Sequence, residues 1–167
     1  MAAEAGPSFT NEQVAELFER LAGLVEILEG SVFKGRAYRK GAQAIRRLRQ
    51  PLEAMLIEGS NLTEVSGIGE AIAAKVGELF ATGHVRAYDT ACAQLPPYTV
   101  ALLGLPGVGA GTAGRIIATT GARTLEDVLR ALDSGEVGWL PRSGERSAGC
   151  IARGLRKAVS GMGETVS

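Results

Sequence analysis

The chain has 167 residues, and 18 basic side chains balance 18 acidic ones, so its formal net charge is zero. Hydrophobic residues make up 46% of the sequence and aromatic residues only 5%, which requires a core of aliphatic side chains and alanines. Two widely separated cysteines, a single histidine and no visible leader peptide argue against a zinc site and predict a reducing, cytoplasmic location.

The first predicted helix carries the acids of the N-terminal part of the chain. Thr10 and Gln13 form a capping box, and apolar residues follow at helical spacing until Gly30. Residues 1–30 contain six acids and one base. We therefore expect an amphipathic, acidic helix that follows a disordered tail at residues 1–9.

The second predicted helix, from Phe33 to Leu48, lies in a run of bases. Residues 31–50 hold seven bases and no acid. On a helical wheel, most of these bases lie opposite an apolar face that contains Tyr38 and Ile45. The bases of this face are Arg36, Arg39, Lys40, Arg46 and Arg47. Because charges of one sign repel each other, either DNA phosphates or the acids of the first helix must compensate them.

The rest of the chain also predicts short helices. Pro51 starts a third helix, a fourth ends at Gly83, and a fifth stops before the proline pair at residues 96–97. Thr124 is a predicted N-cap, and the last helix begins after Leu140. No run of alternating β-branched residues indicates a strand. The predicted fold is all-α, with about nine short helices.

The prolines also divide the sequence into two predicted domains. The proline pair after the fifth helix gives domains at residues 10–95 and 96–159, followed by a second disordered tail at residues 160–167. Residues 90–114 are uncharged, but prolines and glycines interrupt them. We therefore expect no membrane-spanning helix and no membrane partner.

Three segments share one spacing of glycine, alanine and aliphatic residues. They read VSGIGEAIAAKV at residues 65–76, LPGVGAGTAGRI at residues 105–116 and LPRSGERSAGCI at residues 140–151. The first glycine suits a positive φ, and the second starts a helix whose backbone amides can face an anion. In the third copy Arg142 replaces the first glycine, so the tight turn should be impaired there. The alternative is a glycine turn between helices that binds no ligand.

These repeats resemble the helix-hairpin-helix motif of proteins that bind DNA without sequence specificity. FKGRAYRKGAQAI followed by VSGIGEAIAAKVGELFATG is similar to the N-terminal lyase domain of family X DNA polymerases. LPGVGAGTAGRII with TLEDVLRAL is similar to the following fingers subdomain, and LPRSGERSAGCI to a third hairpin of bacterial members. Neither the palm domain nor a metallophosphoesterase domain of that family is visible, so we expect no polymerase activity from this chain.

The resemblance implies roles for individual residues. Lys75 aligns with a lysine that forms a Schiff base with an abasic sugar, which requires a neutral amine, and Tyr38 aligns with the same pocket. Alternatively, Lys75 is a solvated lysine or a simple phosphate contact. The residues expected to contact DNA are Lys34, Arg36, Arg39, Lys40, Arg46, Arg47, Gly67, Gly69, Gly107, Gly109, Ala110, Gly111 and Arg115. Glu70 and Ala71 should weaken the first hairpin as a phosphate site, so we expect the second to bind phosphate better.

The resemblance also implies a monovalent cation, Na⁺ or K⁺, that backbone carbonyls hold in the hairpins, while no cofactor is expected to be required. The matching carbonyls are those of Thr63, Val65 and Ile68 in the first hairpin and Leu103, Leu105 and Val108 in the second.

The function predicted from the sequence is non-sequence-specific binding to the phosphate backbone of gapped, nicked or abasic DNA in DNA repair. Expected protein partners are a repair polymerase, a ligase or a nuclease. Two alternatives stay open: a 5′-deoxyribose-phosphate lyase that uses Lys75, and a protein-interaction module that does not bind DNA.

Overall fold

A computed structural model describes residues 6–163, and all of the regular secondary structure in that range is helical. The all-α prediction is therefore confirmed, and the number of helices agrees with the predicted number. The α-helices are α1 (Asn11–Glu29), α2 (Val32–Arg46), α3 (Leu52–Ile57), α4 (Glu70–Thr82), α5 (Arg86–Ala93), α6 (Thr99–Leu103), α7 (Ala110–Thr120), α8 (Leu125–Ser134) and α9 (Ala148–Gly163), and a short 3₁₀ helix lies at Leu62–Glu64. No helix in the described range is long and apolar enough to cross a membrane.

The chain divides into two compact units between Ala91 and Cys92, within α5 and slightly before the predicted domain boundary.

Both predicted tails are corrected where the structure describes them. Phe9 packs edge-on against Phe80, with 5.6 Å between ring centroids, because burying an aromatic side chain favours order. The last helix continues to Gly163, since no proline interrupts it after residue 159. The remaining positions of the tails, residues 1–5 and 164–167, lie outside the described residues.

The first unit is built around an antiparallel pair formed by α1 and α2. The predicted capping box of Thr10 and Gln13 starts α1, and Gly30 ends it with a φ of 64°. Phe18 is completely buried and contributes to an otherwise mainly aliphatic core. Helix α4 packs closely on α2 at Gly41, where an added Cβ would stand 2.4 Å from Cδ1 of Ile72. The small residue therefore allows the helix that follows the first repeat to pack against the basic helix.

The second unit packs α6 to α9 around a separate aliphatic core. Leu102, Ile116 and Leu155 are completely buried. The hydroxyl of Tyr98 donates a hydrogen bond of 2.8 Å to the Ala122 carbonyl. Burial raises the pKa of the Tyr98 phenol, and a nearby carboxylate raises it further. Helix α8 begins with the predicted N-cap at Thr124, which forms a complete capping box.

Candidate nucleic-acid interface

The first repeat folds as a tight turn that leads into α4. Gly67 has a φ of +100°, and the Ile68 amide donates a 3.0 Å hydrogen bond to the Val65 carbonyl. Gly69 is the N-cap and has no side chain to accept from the first amides of the helix. Helices α1 and α8, by contrast, satisfy such amides with their own capping boxes. The amides at the start of α4 thus have no side-chain cap of their own.

The second repeat forms the same turn before α7. Gly107 has a φ of +77°, and the Val108 amide donates a 3.2 Å hydrogen bond to the Leu105 carbonyl. Gly109 is again an N-cap without a capping side chain, and α7 begins at Ala110. The two repeats therefore share backbone geometry as well as sequence spacing.

The third repeat folds differently. No residue other than glycine has a positive φ between residues 6 and 163, so Arg142 does not take the conformation of Gly67 or Gly107. The positive φ shifts to Gly144, at +90°, and α9 begins only at Ala148. The Ser147 hydroxyl caps α9 by accepting a 3.3 Å hydrogen bond from the Cys150 amide. As Arg142 predicts, the tight turn is lost.

The first hairpin, α2 and α4 enclose an open cleft of about 690 Å³. Its lining includes Lys34, Lys40 and Lys75 but no carboxylate, together with apolar wall residues such as Ile72. The Lys75 ammonium lies 5.7 Å from the centroid of the Tyr38 ring. That ring is itself stacked on the buried Phe18, with 6.0 Å between centroids. The cleft therefore combines positive charge with a fixed aromatic wall.

Comparison with known proteins places this arrangement in a known domain family. The helix-hairpin-helix domain family matches residues 9–85, which contain α1, α2, the first hairpin and the cleft. The match covers just under half of the chain. A DNA polymerase/3′-5′ exonuclease, PolX of Bacillus subtilis (strain 168), is 25% identical over 147 residues, or 88% of this chain. The resemblance to the N-terminal helix-hairpin-helix region of family X polymerases is confirmed. The chain spans about a quarter of the length of that relative, since the match covers 25% of it.

Within the matched residues 9–85, the basic face predicted for α2 is divided in two by ion pairs. Arg46 binds the carboxylates of Glu12 and Glu19, with 2.8 Å to the nearer oxygen of Glu12. Arg39 donates to both oxygens of Glu26, one of them at 2.9 Å. These hydrogen bonds hold the pKa of both guanidinium groups above its ordinary value. For these bases, the acids of the first helix supply the compensating charge. Helix α2 therefore does not present one uniform DNA-facing surface.

Lys34 belongs to the same paired group but also borders the cleft. Its ammonium donates a 3.0 Å hydrogen bond to Glu29, which raises the pKa of Lys34. Because both side chains are largely exposed, this contact is easily exchanged for another anion.

The other bases of this face form what we call the free basic stripe: Arg36 and Lys40 in α2, and Arg47 at its C-cap. All are exposed, and none of their side chains makes a hydrogen bond or ion pair with another described residue. Their spacing places them along one side of α2. Lys40 also lines the cleft, so the stripe continues into the first hairpin. This is the part of the predicted basic face that is available to an external anion.

In the second unit, Arg115 is exposed and follows Gly111 by one helical turn on the same side of α7. A Cβ added at Gly109 or Gly111 would meet no atom within 4 Å, so the surface is open at the start of α7, whereas the turn at Gly107 packs against Glu145 and Arg146. The Arg115 guanidinium lies 4.2 Å from the ring centroid of Trp139. Sequence reasoning missed Trp139, although it is the only tryptophan in the chain and directly precedes the third repeat.

The predicted cation sites remain predictions. The turns use the Val65 and Leu105 carbonyls as hydrogen-bond acceptors for Ile68 and Val108. The matching outer carbonyls belong to Thr63, in the 3₁₀ helix, and Leu103, at the end of α6. No cluster of three His, Cys, Asp or Glu side chains suited to a metal ion occurs within residues 6–163.

Two glycine substitutions test the hairpin geometry. A Cβ at Gly67 would stand 3.1 Å from the Ala44 Cβ and 3.3 Å from the Lys40 carbonyl oxygen, at a φ that L-residues avoid. We expect Gly67→Ala to lower the free energy of unfolding by about 1–3 kcal/mol. In the control Gly69→Ala, the added Cβ meets no atom within 4 Å, and the loss should stay below about 1 kcal/mol. Urea unfolding measures both, and equal losses would contradict the assigned turn.

Proposed function

We propose that this chain binds DNA through the phosphate backbone and does so without reading base sequence. The observation that carries the proposal is the continuity between the uncapped first hairpin, the cleft without carboxylates and the free basic stripe. Together they present backbone amides and cationic side chains to one ligand. A polyanionic backbone is the ligand that such a surface suits.

The comparisons support this choice of ligand. The matched domain is a helix-hairpin-helix domain, and the relative is by its name a DNA polymerase. We extend the proposal to gapped, nicked or abasic DNA in repair because a concave cleft accepts a strand end or an exposed sugar better than continuous duplex. A repair polymerase, ligase or nuclease is the class of protein partner that such a substrate brings to the same site.

The salt dependence of binding tests the proposal. With about four phosphate contacts, log K should fall with log salt at a slope of about −3 to −4. The experiment follows the anisotropy of a labelled gapped duplex over a range of KCl concentrations, with a second duplex of unrelated sequence as the control. Affinity that is independent of salt, or that differs strongly between the two sequences, would contradict the proposal. If no duplex binds at low salt, a protein-interaction module becomes the better account.

A second function, 5′-deoxyribose-phosphate lyase activity, is favoured by the position of Lys75 in the cleft beside Tyr38. The Lys75 amine would attack the C1′ aldehyde carbon of an opened abasic sugar, and the carbonyl oxygen would leave as water to give an imine. A solvent base then removes a C2′ proton, and the C3′–O bond breaks so that the DNA leaves with its 5′-phosphate. Hydrolysis of the imine restores Lys75. The aromatic wall would hold the sugar and limit the motion of the lysine.

A further inference from the structure

The second unit contains a guanidinium that lies over an aromatic ring and makes no hydrogen bond with a described residue. Arg115 is exposed, stacks on Trp139 at 4.2 Å and makes no ion pair with any described carboxylate. Arg39 and Arg46, by contrast, have acid partners within the chain. An arginine that packs over an aromatic ring keeps its planar fork of N–H donors available, and less rotamer freedom is lost when it binds a ligand.

Trp139 is well placed to act as a rigid support. Its neighbours Val137 and Leu140 are 2% and 7% exposed, and the Leu140 amide donates a 2.9 Å hydrogen bond to the Val137 carbonyl. The indole Nε1 is buried, while the residue as a whole is only half-buried. The indole N–H has no hydrogen-bond partner among the described residues, so the ring is held by packing alone, and the Arg115 guanidinium lies over it.

We propose that Trp139 is a positioning residue that orients Arg115 toward a DNA phosphodiester, which gives the second unit a phosphate contact of its own. The inference rests on the proposed function, because it adds a phosphate contact in the second unit to the DNA binding proposed for the chain. The ligand is the phosphodiester, since a planar guanidinium fork matches its paired oxygens. Gly111, which has no side chain, leaves the approach along α7 open beside Arg115.

Substitutions at both residues test the proposal through DNA affinity and its salt dependence. Arg115→Gln should weaken binding to the gapped duplex about threefold to tenfold and reduce the salt slope by about 0.9, the value for one phosphate contact. Trp139→Leu keeps an apolar side chain but removes the π face, and it should reproduce both changes. Trp139→Phe keeps a π face and should restore at least half of the lost affinity. Arg130→Gln removes a charge of the same sign from the same unit and serves as the matched control.

Several results would overturn the positioning role and leave DNA binding itself intact. These are normal affinity in Trp139→Leu, identical losses in Trp139→Leu and Trp139→Phe, or a loss in Arg130→Gln as large as in Arg115→Gln. An absence of DNA binding in the unmodified chain would overturn both proposals. Thermal unfolding of each variant shows whether it is folded.

The fluorescence of the unmodified chain provides a readout that does not depend on variants. Trp139 is the only tryptophan, so its emission reports on this site alone. Saturation with DNA should change that emission with the same midpoint as the anisotropy of the labelled duplex. An unchanged spectrum at saturating DNA would overturn the proposal.

Discussion

Replacing all three residues of the free basic stripe by glutamine is expected to weaken binding to a gapped duplex about 100-fold at moderate salt, because each lost phosphate contact lowers the affinity by a factor of about three to ten. Arg36, Lys40 and Arg47 have no partner among the described residues, so their counterions are released when DNA binds. The slope of log K against log salt should become less steep by about 2 to 3 in the same variant. Anisotropy of a labelled duplex across a KCl series measures both effects.

A control with the same change in net charge separates contact from general electrostatics. Three other arginines already pair with a carboxylate: Arg20 lies 3.7 Å from Glu16, Arg46 lies 2.8 Å from Glu12, and Arg130 lies 3.6 Å from Asp127. Replacing all three by glutamine should change the affinity for DNA less than about fivefold, because a neighbouring carboxylate already neutralises each positive charge. Exposed ion pairs also contribute little to stability, so the variant should stay folded. If both triple variants lose affinity equally, DNA responds to net charge and not to the stripe.

The parts of the fold that were predictable from sequence are those with local causes. The capping boxes at Thr10 and Thr124 need only residues three positions apart, and both are present in the structure. Glycine ends the first and fourth helices where predicted, at Gly30 and Gly83, with a positive φ at each. The hairpin turns follow from the same rule, because glycine is the residue that tolerates the conformation of Gly67.

The division of the basic face was not predictable, because it depends on which sides of α1 and α2 meet. The pair between Arg39 and Glu26 depends on Gly35, because an added Cβ there would stand 2.0 Å from a carboxylate oxygen of Glu26. The missing side chain lets Glu26 fit against α2 and reach Arg39. The stacking of Arg115 on Trp139 is equally non-local, because the two residues come from different elements of the second unit. Sequence spacing alone could identify each base but not its partner.

The largest effect on chemistry is expected at Lys75. If the cleft is a lyase site, borohydride should trap a covalent adduct between the chain and gapped DNA that carries a 5′-deoxyribose phosphate. Lys75→Ala should reduce the trapped fraction at least about 100-fold, because it removes the amine proposed to form the Schiff base. Lys40→Ala is the matched control, since Lys40 lines the same cleft. At saturating protein it should leave the trapped fraction within about threefold of the unmodified chain, because a phosphate contact acts mainly on binding.

Lys75→Arg separates the two roles that a lysine in this cleft can have. The guanidinium keeps the positive charge and the contact with the Tyr38 ring, but it stays protonated and does not form an imine. We therefore expect nearly normal DNA affinity together with a loss of trapping as complete as in Lys75→Ala. An adduct that survives in Lys75→Arg would place the reactive amine elsewhere in the chain. Absence of an adduct in the unmodified chain would remove the lyase proposal, and Lys75 would then be one more cation in a cleft that binds the backbone of DNA.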